Sequence, residues 1–214
     1  MMHADETPTP SRSRLGLTPE QFKLSVMRKC AESAEMKEKF FDENAGLIQQ
    51  VCGRLAEALR TGHQLFVMGN GGSSCDAVHV AVEFVHPIIE KRRSFPAFAL
   101  TNDSALLTAI GNDSDFSHTF SEQLKLFGKP GDVVLGISTS GMSSNVNYGL
   151  QAAREMGLLT IAFSGKDGGR VKNIAEYCLT VPSFSIHRIQ EVHTTLLHVL
   201  WDMVHVLLGE EDII

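Results

Sequence analysis

Five short apolar runs, each separated from the next by helical sequence, constrain this chain more than any other feature. The runs are Gln64–Met68, Phe95–Leu100, Val133–Ile137, Leu158–Phe163 and residues 177–181. Helical stretches fall near 73–90, 103–110, 115–127, 143–156, 169–174 and 187–208. Short apolar runs alternating with helices indicate a parallel sheet covered on both faces. The expected fold is a doubly wound, three-layer α/β domain over residues 63–214. Ligands in such domains bind beyond the carboxyl ends of the strands.

Helical sequence also precedes the first run, at 18–37 and 42–61. Thr18-Pro19-Glu20-Gln21 reads as a helix start, with Thr as N-cap, Pro in the first turn and Gln at the capping-box position. The apolar positions of this arm need a partner surface, so residues 18–62 are expected to pack against another subunit. Residues 1–17 are polar and Pro/Ser-rich, and are expected to be disordered.

Composition removes several function classes. The formal net charge of −6 argues against broad nucleic-acid binding. No apolar run approaches the roughly 20 residues of a membrane span. The N-terminus lacks an apolar signal core, so a cytoplasmic location is expected. Cys30, Cys52, Cys75 and Cys178 form no CxxC pair and match no zinc-finger spacing. They read as reduced thiols.

Two strand-to-helix loops stand out. Ser138-Thr139-Ser140-Gly141-Met142-Ser143 offers four hydroxyls and backbone N–H groups at a helix N-terminus. Orphan donors and the helix dipole both favour an anion there. The loop has no lysine, which suits a phosphomonoester better than a triphosphate. The same residues also make a well-capped turn. Gly69-Asn70-Gly71-Gly72-Ser73-Ser74 allows close approach of backbone to a ligand. It carries Ser74 where a dinucleotide fingerprint needs glycine. Gly111-Asn112-Asp113 reads as a third polar loop.

His79 and Glu83 are four apart on one helix and share a face. Gln190 and His198 are eight apart on the last helix, again on one side. Together these could supply His79, Glu83, Gln190 and His198 to one divalent ion, and two His with a carboxylate suit zinc. The competing reading is a solvent-facing pair. His193 and His205 read as interface or surface residues.

These residues resemble the phosphoheptose isomerase family of SIS domains. The pieces are GNGGSSCDAVHVAVEF, LTAIGNDSDF, GDVVLGISTSGMSSNV, FSGKDGG and RIQEVHTTLLHVL, in that order. The resemblance spans about residues 20 to 207. It implies a five-stranded SIS fold, a homotetramer with active sites between subunits, and conversion of sedoheptulose 7-phosphate to an aldose heptose 7-phosphate. It implies a phosphate site at Ser138, Thr139, Ser140 and Ser143. It places Asn70, Gly71, Gly72 and Ser73 at the sugar, with Asn112, Asp113 and Gln190. It makes Glu83 and His198 the acid–base pair, and His79, Glu83, Gln190 and His198 the zinc ligands.

The chain departs from the family pattern at three places. No arginine follows Glu83 before Arg92, His187 stands where an acidic residue is usual, and Met142 replaces an asparagine. These departures bear on sugar contacts. Two other readings follow from the same fold: a non-catalytic protein resembling the bacterial initiator-associating factor DiaA, and a sugar-phosphate sensor. Retention of His79, Glu83 and His198 favours an enzyme.

Overall fold

The computed structural model of the protein describes residues 16–88 and 92–212. The expected disordered tail therefore lies, up to residue 15, outside the described residues. The first element, α1, is a single helix over Pro19–Arg60, where two stretches were expected. Residues 38–41 contain neither Pro nor Gly, so nothing interrupts the hydrogen-bond ladder. Its start is the predicted capping box: Gln21 N–H donates to Thr18 Oγ1 at 3.2 Å, and Thr18 N–H donates to Gln21 Oε1 at 3.0 Å.

The rest alternates as expected. Strands β1 (Leu65–Gly69), β2 (Ala97–Ala99), β3 (Val133–Ser138), β4 (Leu159–Gly165) and β5 (Tyr177–Val181) form one all-parallel sheet in the order β2-β1-β3-β4-β5. Helices α2 (Gly72–Val85), α3 (Ser104–Asp113), α4 (Thr119–Phe127), α5 (Ser144–Glu155), α6 (Val171–Ile174) and α7 (Ile186–Leu207) connect and cover it.

Strand residues alternate between two cores, as the pleat requires. Leu65, Val67, Val133, Leu135, Ile137, Ile161 and Phe163 pack with α1, α2 and α7. Phe66, Met68, Val134 and Ala162 pack with α4, α5 and α6. The C-terminal half of α1 contributes Phe40, Ile48, Val51, Leu55 and Leu59 to the first core. Its N-terminal half instead exposes Phe22, Leu24, Val26 and Met27.

Three expectations fail here. The helix predicted to reach residue 90 ends at Val85, because the residue before Pro87 is pushed out of helical geometry. Gly111-Asn112-Asp113 is no loop but the last turn of α3, whose ladder continues with Ser114 N–H donating to Ile110 O at 3.0 Å. His193 and His205 are not surface residues; both are fully buried. They sit on the apolar stripe that turns α7 toward the sheet.

Candidate active site

The chain reverses direction across the sheet between β1 and β3, which opens a crevice at their carboxyl ends. Both predicted ligand loops leave those two strand ends.

The serine loop joins β3 to the start of α5. Ser143 is the N-cap residue of α5, yet its side chain makes no capping bond. Its hydroxyl lies 3.1 Å from Ser138 Oγ instead. In place of that cap, Val146 N–H in the first turn of α5 donates to Asn145 Oδ1 at 3.0 Å. Ser140 Oγ accepts from Met142 N–H at 3.2 Å. Gly141 takes φ of 63°, a region where side chains are strained. A Cβ there would also collide with the Gly168 carbonyl. The Gly141 carbonyl in turn accepts from Arg170 and Val171 N–H. Residues 168–171 therefore brace the serine loop.

The glycine loop is tied to the first turn of α5. Asn70 and Asn145 exchange a pair of amide bonds of 2.8 and 2.9 Å. Asn145 is buried in the first turn of α5. The pair uses one donor and one acceptor site of the Asn70 amide and fixes its side chain toward α5. Ser73 is buried, and a Cβ on Gly72 would collide with the Gln190 amide.

Helices α2 and α7 run side by side in the same direction. Gly72 meets Gln190, Asp76 meets Thr194, His79 meets His198 and Glu83 meets Trp201. The four predicted ligands therefore line one seam. His79 Nε2 lies 3.2 Å from His198 Nε2 and 3.4 Å from Glu83 Oε1. One donor atom from each of the three residues falls within 4.8 Å of the others. Donors about 2.0–2.1 Å from a tetrahedral zinc stand about 3.3 Å apart. The His79–His198 and His79–Glu83 separations match that spacing and the third lies within 4.8 Å, so two imidazoles and a carboxylate of the kind zinc takes converge here. Gln190 sits two turns before His198 on the same seam, with its amide against Gly72.

Asn112 and Asp113 do not join this group. They are exposed at the end of α3, with Asn112 Nδ2 donating to Asp113 Oδ1 at 2.8 Å.

Two residues escaped the sequence reading. Asn145 carried no visible signal beyond its place after the serine loop. Asp76 stands one turn before His79, and that spacing was the available clue. Asp76 is buried and accepts from Thr194 Oγ1 at 3.2 Å, while its second oxygen has no hydrogen-bond partner. Burial pushes its carboxyl above the usual range, against the Thr194 bond and the nearby His79. Burial likewise pushes the Cys52 thiol up to about 11 and raises that of Cys178, which suits inert structural thiols.

Comparison with known proteins agrees with this geometry. Residues 30–165 match the SIS domain family. The phosphoheptose isomerase of Aquifex aeolicus is 47% identical over 181 residues, covering 85% of this chain and 95% of that protein. The solved structure of the phosphoheptose isomerase from Neisseria gonorrhoeae superposes with a TM-score of 0.80 at 36% identity, covering 86% and 98% of the two chains. That of a phosphoheptose isomerase from Francisella tularensis gives 0.82 at 31% identity, covering 85% and 97%. Among the described residues no helix is long and apolar enough to cross a membrane. A fold, a set of ordered motifs and relatives that agree over most of the chain place it in one family: the chain belongs to the phosphoheptose isomerases, SIS-domain sugar-phosphate isomerases.

Proposed function

We propose that the protein interconverts sedoheptulose 7-phosphate and D-glycero-D-manno-heptose 7-phosphate through an enediol. The observation that carries this reading is the convergence of His79, Glu83 and His198 within 4.8 Å, on the α2–α7 seam that begins where the glycine loop meets Gln190.

The chain's groups divide the work. Ser138, Thr139, Ser140 and Ser143 bind the phosphate at the N-terminus of α5, fixing the far end of the sugar. Asn70, Gly71, Gly72, Ser73 and Gln190 line the sugar at the reacting end. Glu83 takes the proton from C1 of the ketose and returns one to C2. His198 carries the hydroxyl proton between O1 and O2, so the charge on the enediol stays small. Zinc held by His79, Glu83, Gln190 and His198 would supply Lewis-acid polarisation of the carbonyl. Asn112 and Asp113 rest on the family motif alone; their exposure suits a site shared between subunits.

The exposed apolar face of α1, with Phe22, Leu24, Val26 and Met27, supports the arm as a subunit interface and a homotetramer. A cytoplasmic location accords with this metabolic role.

The test is turnover of a seven-carbon ketose phosphate by the zinc-loaded protein. Glu83→Gln removes the base and is expected to abolish it, as is His198→Ala. Wild-type protein that binds sugar phosphates, read as a rise in Tm, but turns none over would sink the catalytic reading and favour a sensor or scaffold.

A further inference from the structure

Pro87 leaves the helix that carries Glu83 with an orphan carbonyl. In a continuing helix the Glu83 carbonyl would accept from the N–H of residue 87, and proline has none. The neighbouring carbonyls are satisfied: Val82 O accepts from His86 N–H at 2.8 Å, and Phe84 O from Phe95 N–H at 2.8 Å. Glu83 O accepts instead from the indole of Trp201, Nε1 to O at 2.9 Å, across the α2–α7 seam.

Trp201 is itself held firmly. It is only 4% exposed. The Arg92 guanidinium stacks over its ring at 4.7 Å, and Arg92 pairs with Asp202 at 2.6 Å. Trp201 and His198 are also neighbours on one face of α7, three apart. One side chain therefore fixes the last turn of α2 directly above the group formed by His79, Glu83 and His198.

We infer that Trp201 is a positioning residue for Glu83: its indole N–H substitutes for the donor that Pro87 removes, and so holds the Glu83 carboxylate against His79 and His198. The role rests on Glu83 being the base. A small displacement of a reacting group costs far more in rate than in substrate binding. The role would also make the indole responsive to the site, since supporting groups around a metal ligand affect its affinity.

Trp201 is the single tryptophan of the chain, so its indole N–H gives one side-chain resonance in 15N-labelled protein. In the wild type that proton is expected to exchange slowly with solvent and to shift on titration with zinc. Trp201→Phe keeps the ring and deletes the donor. It is expected to lower kcat about 10- to 100-fold with KM within about twofold, and to weaken zinc binding about tenfold by equilibrium dialysis. An indole proton that exchanges freely and ignores zinc overturns the inference even if Trp201→Phe fails to fold. So does a folded Trp201→Phe with wild-type kcat and zinc affinity. Activity retained in Glu83→Gln is a separate outcome: it removes Glu83 as base, whatever the indole does.

Discussion

Asn70 and Asn145 are 75 residues apart in sequence, yet their side-chain amides pair reciprocally at 2.8 and 2.9 Å. The pair bolts the loop after β1 to the first turn of α5. It thereby sets the distance between the glycine loop and the serine loop, the proposed sugar and phosphate sites. Asn145→Ala would leave the Asn70 amide without its partner in a partly buried position. The expected cost is about 1–3 kcal/mol in urea unfolding. KM for sugar phosphate should rise more than kcat falls, because the two ends of the ligand lose their fixed spacing. Asn70→Ala should cost less, because Asn145 also accepts from Val146 N–H at 3.0 Å, and the double variant should cost little more than Asn145→Ala alone.

The metal reading can be separated from the proton-transfer reading through His79. It is the one member of the converging group with no proposed proton-transfer role. His79→Ala should strip zinc from purified protein, read by elemental analysis, while Glu83 and His198 remain in place. In the wild type, chelation should lower Tm and added zinc should restore it. Free zinc at 100 times its Kd would contribute about 2.7 kcal/mol. If His79→Ala retains stoichiometric zinc, or if zinc leaves the wild-type Tm unchanged, the metal assignment fails.

Gly72 and Gly141 lie at the two loops and should respond differently to alanine. At Gly72 the added Cβ meets the end of the flexible Gln190 side chain. Gln190 can turn away, so Gly72→Ala should fold with a Tm close to wild type but lose activity. At Gly141 the added Cβ meets the Gly168 backbone, and φ of 63° is strained for any side chain. Gly141→Ala is expected to lose about 1–3 kcal/mol from the strained conformation alone, together with phosphate affinity. Thermal melts with and without inorganic phosphate distinguish the two outcomes.

What could be read from the sequence was what depends on local pattern. The five strands, the loops after β1 and β3, and the His79–Glu83 spacing are all statements about neighbours in the chain. Ligand chemistry raised the meeting of α2 with α7 as one reading beside a solvent-facing pair, and the family motifs implied it, since no periodicity says which helices touch. The Asn70–Asn145 pair was beyond reach because it depends on strand order, which puts β1 beside β3. Other misses had visible signals. Pro87 stood in the open as a helix stop. His193 lies four residues after Ile189 and four before Leu197, on the stripe that builds the core. Polar residue type outweighed helical position in that reading.

His193 gives the fold a defined acid sensitivity. Its Nε2 lies 3.0 Å from the Ser164 carbonyl, which can only accept, so Nε2 carries the proton of the neutral ring. Nδ1 is buried with no hydrogen-bond partner, so a second proton there would have no acceptor. Burial accordingly pulls the pKa down to about 4, with the Ser164 carbonyl opposing weakly. The unfolded chain, with an ordinary histidine pKa near 6.5, binds the extra proton first. This contribution to stability is therefore fully present above pH 6.5 and is lost as pH falls from about 6.5 toward 4. Its total size is about 3 kcal/mol. His205, lowered mainly by burial despite its Glu210 partner, pulls in the same direction. The His193 share appears as a difference: His193→Gln keeps an amide donor for Ser164 but cannot titrate. Urea unfolding of both proteins at intervals from pH 4 to 7 should show the wild type losing more stability on acidification than His193→Gln. Parallel curves would overturn this assignment, since they require His193 to bind its second proton equally well in the native and unfolded chains.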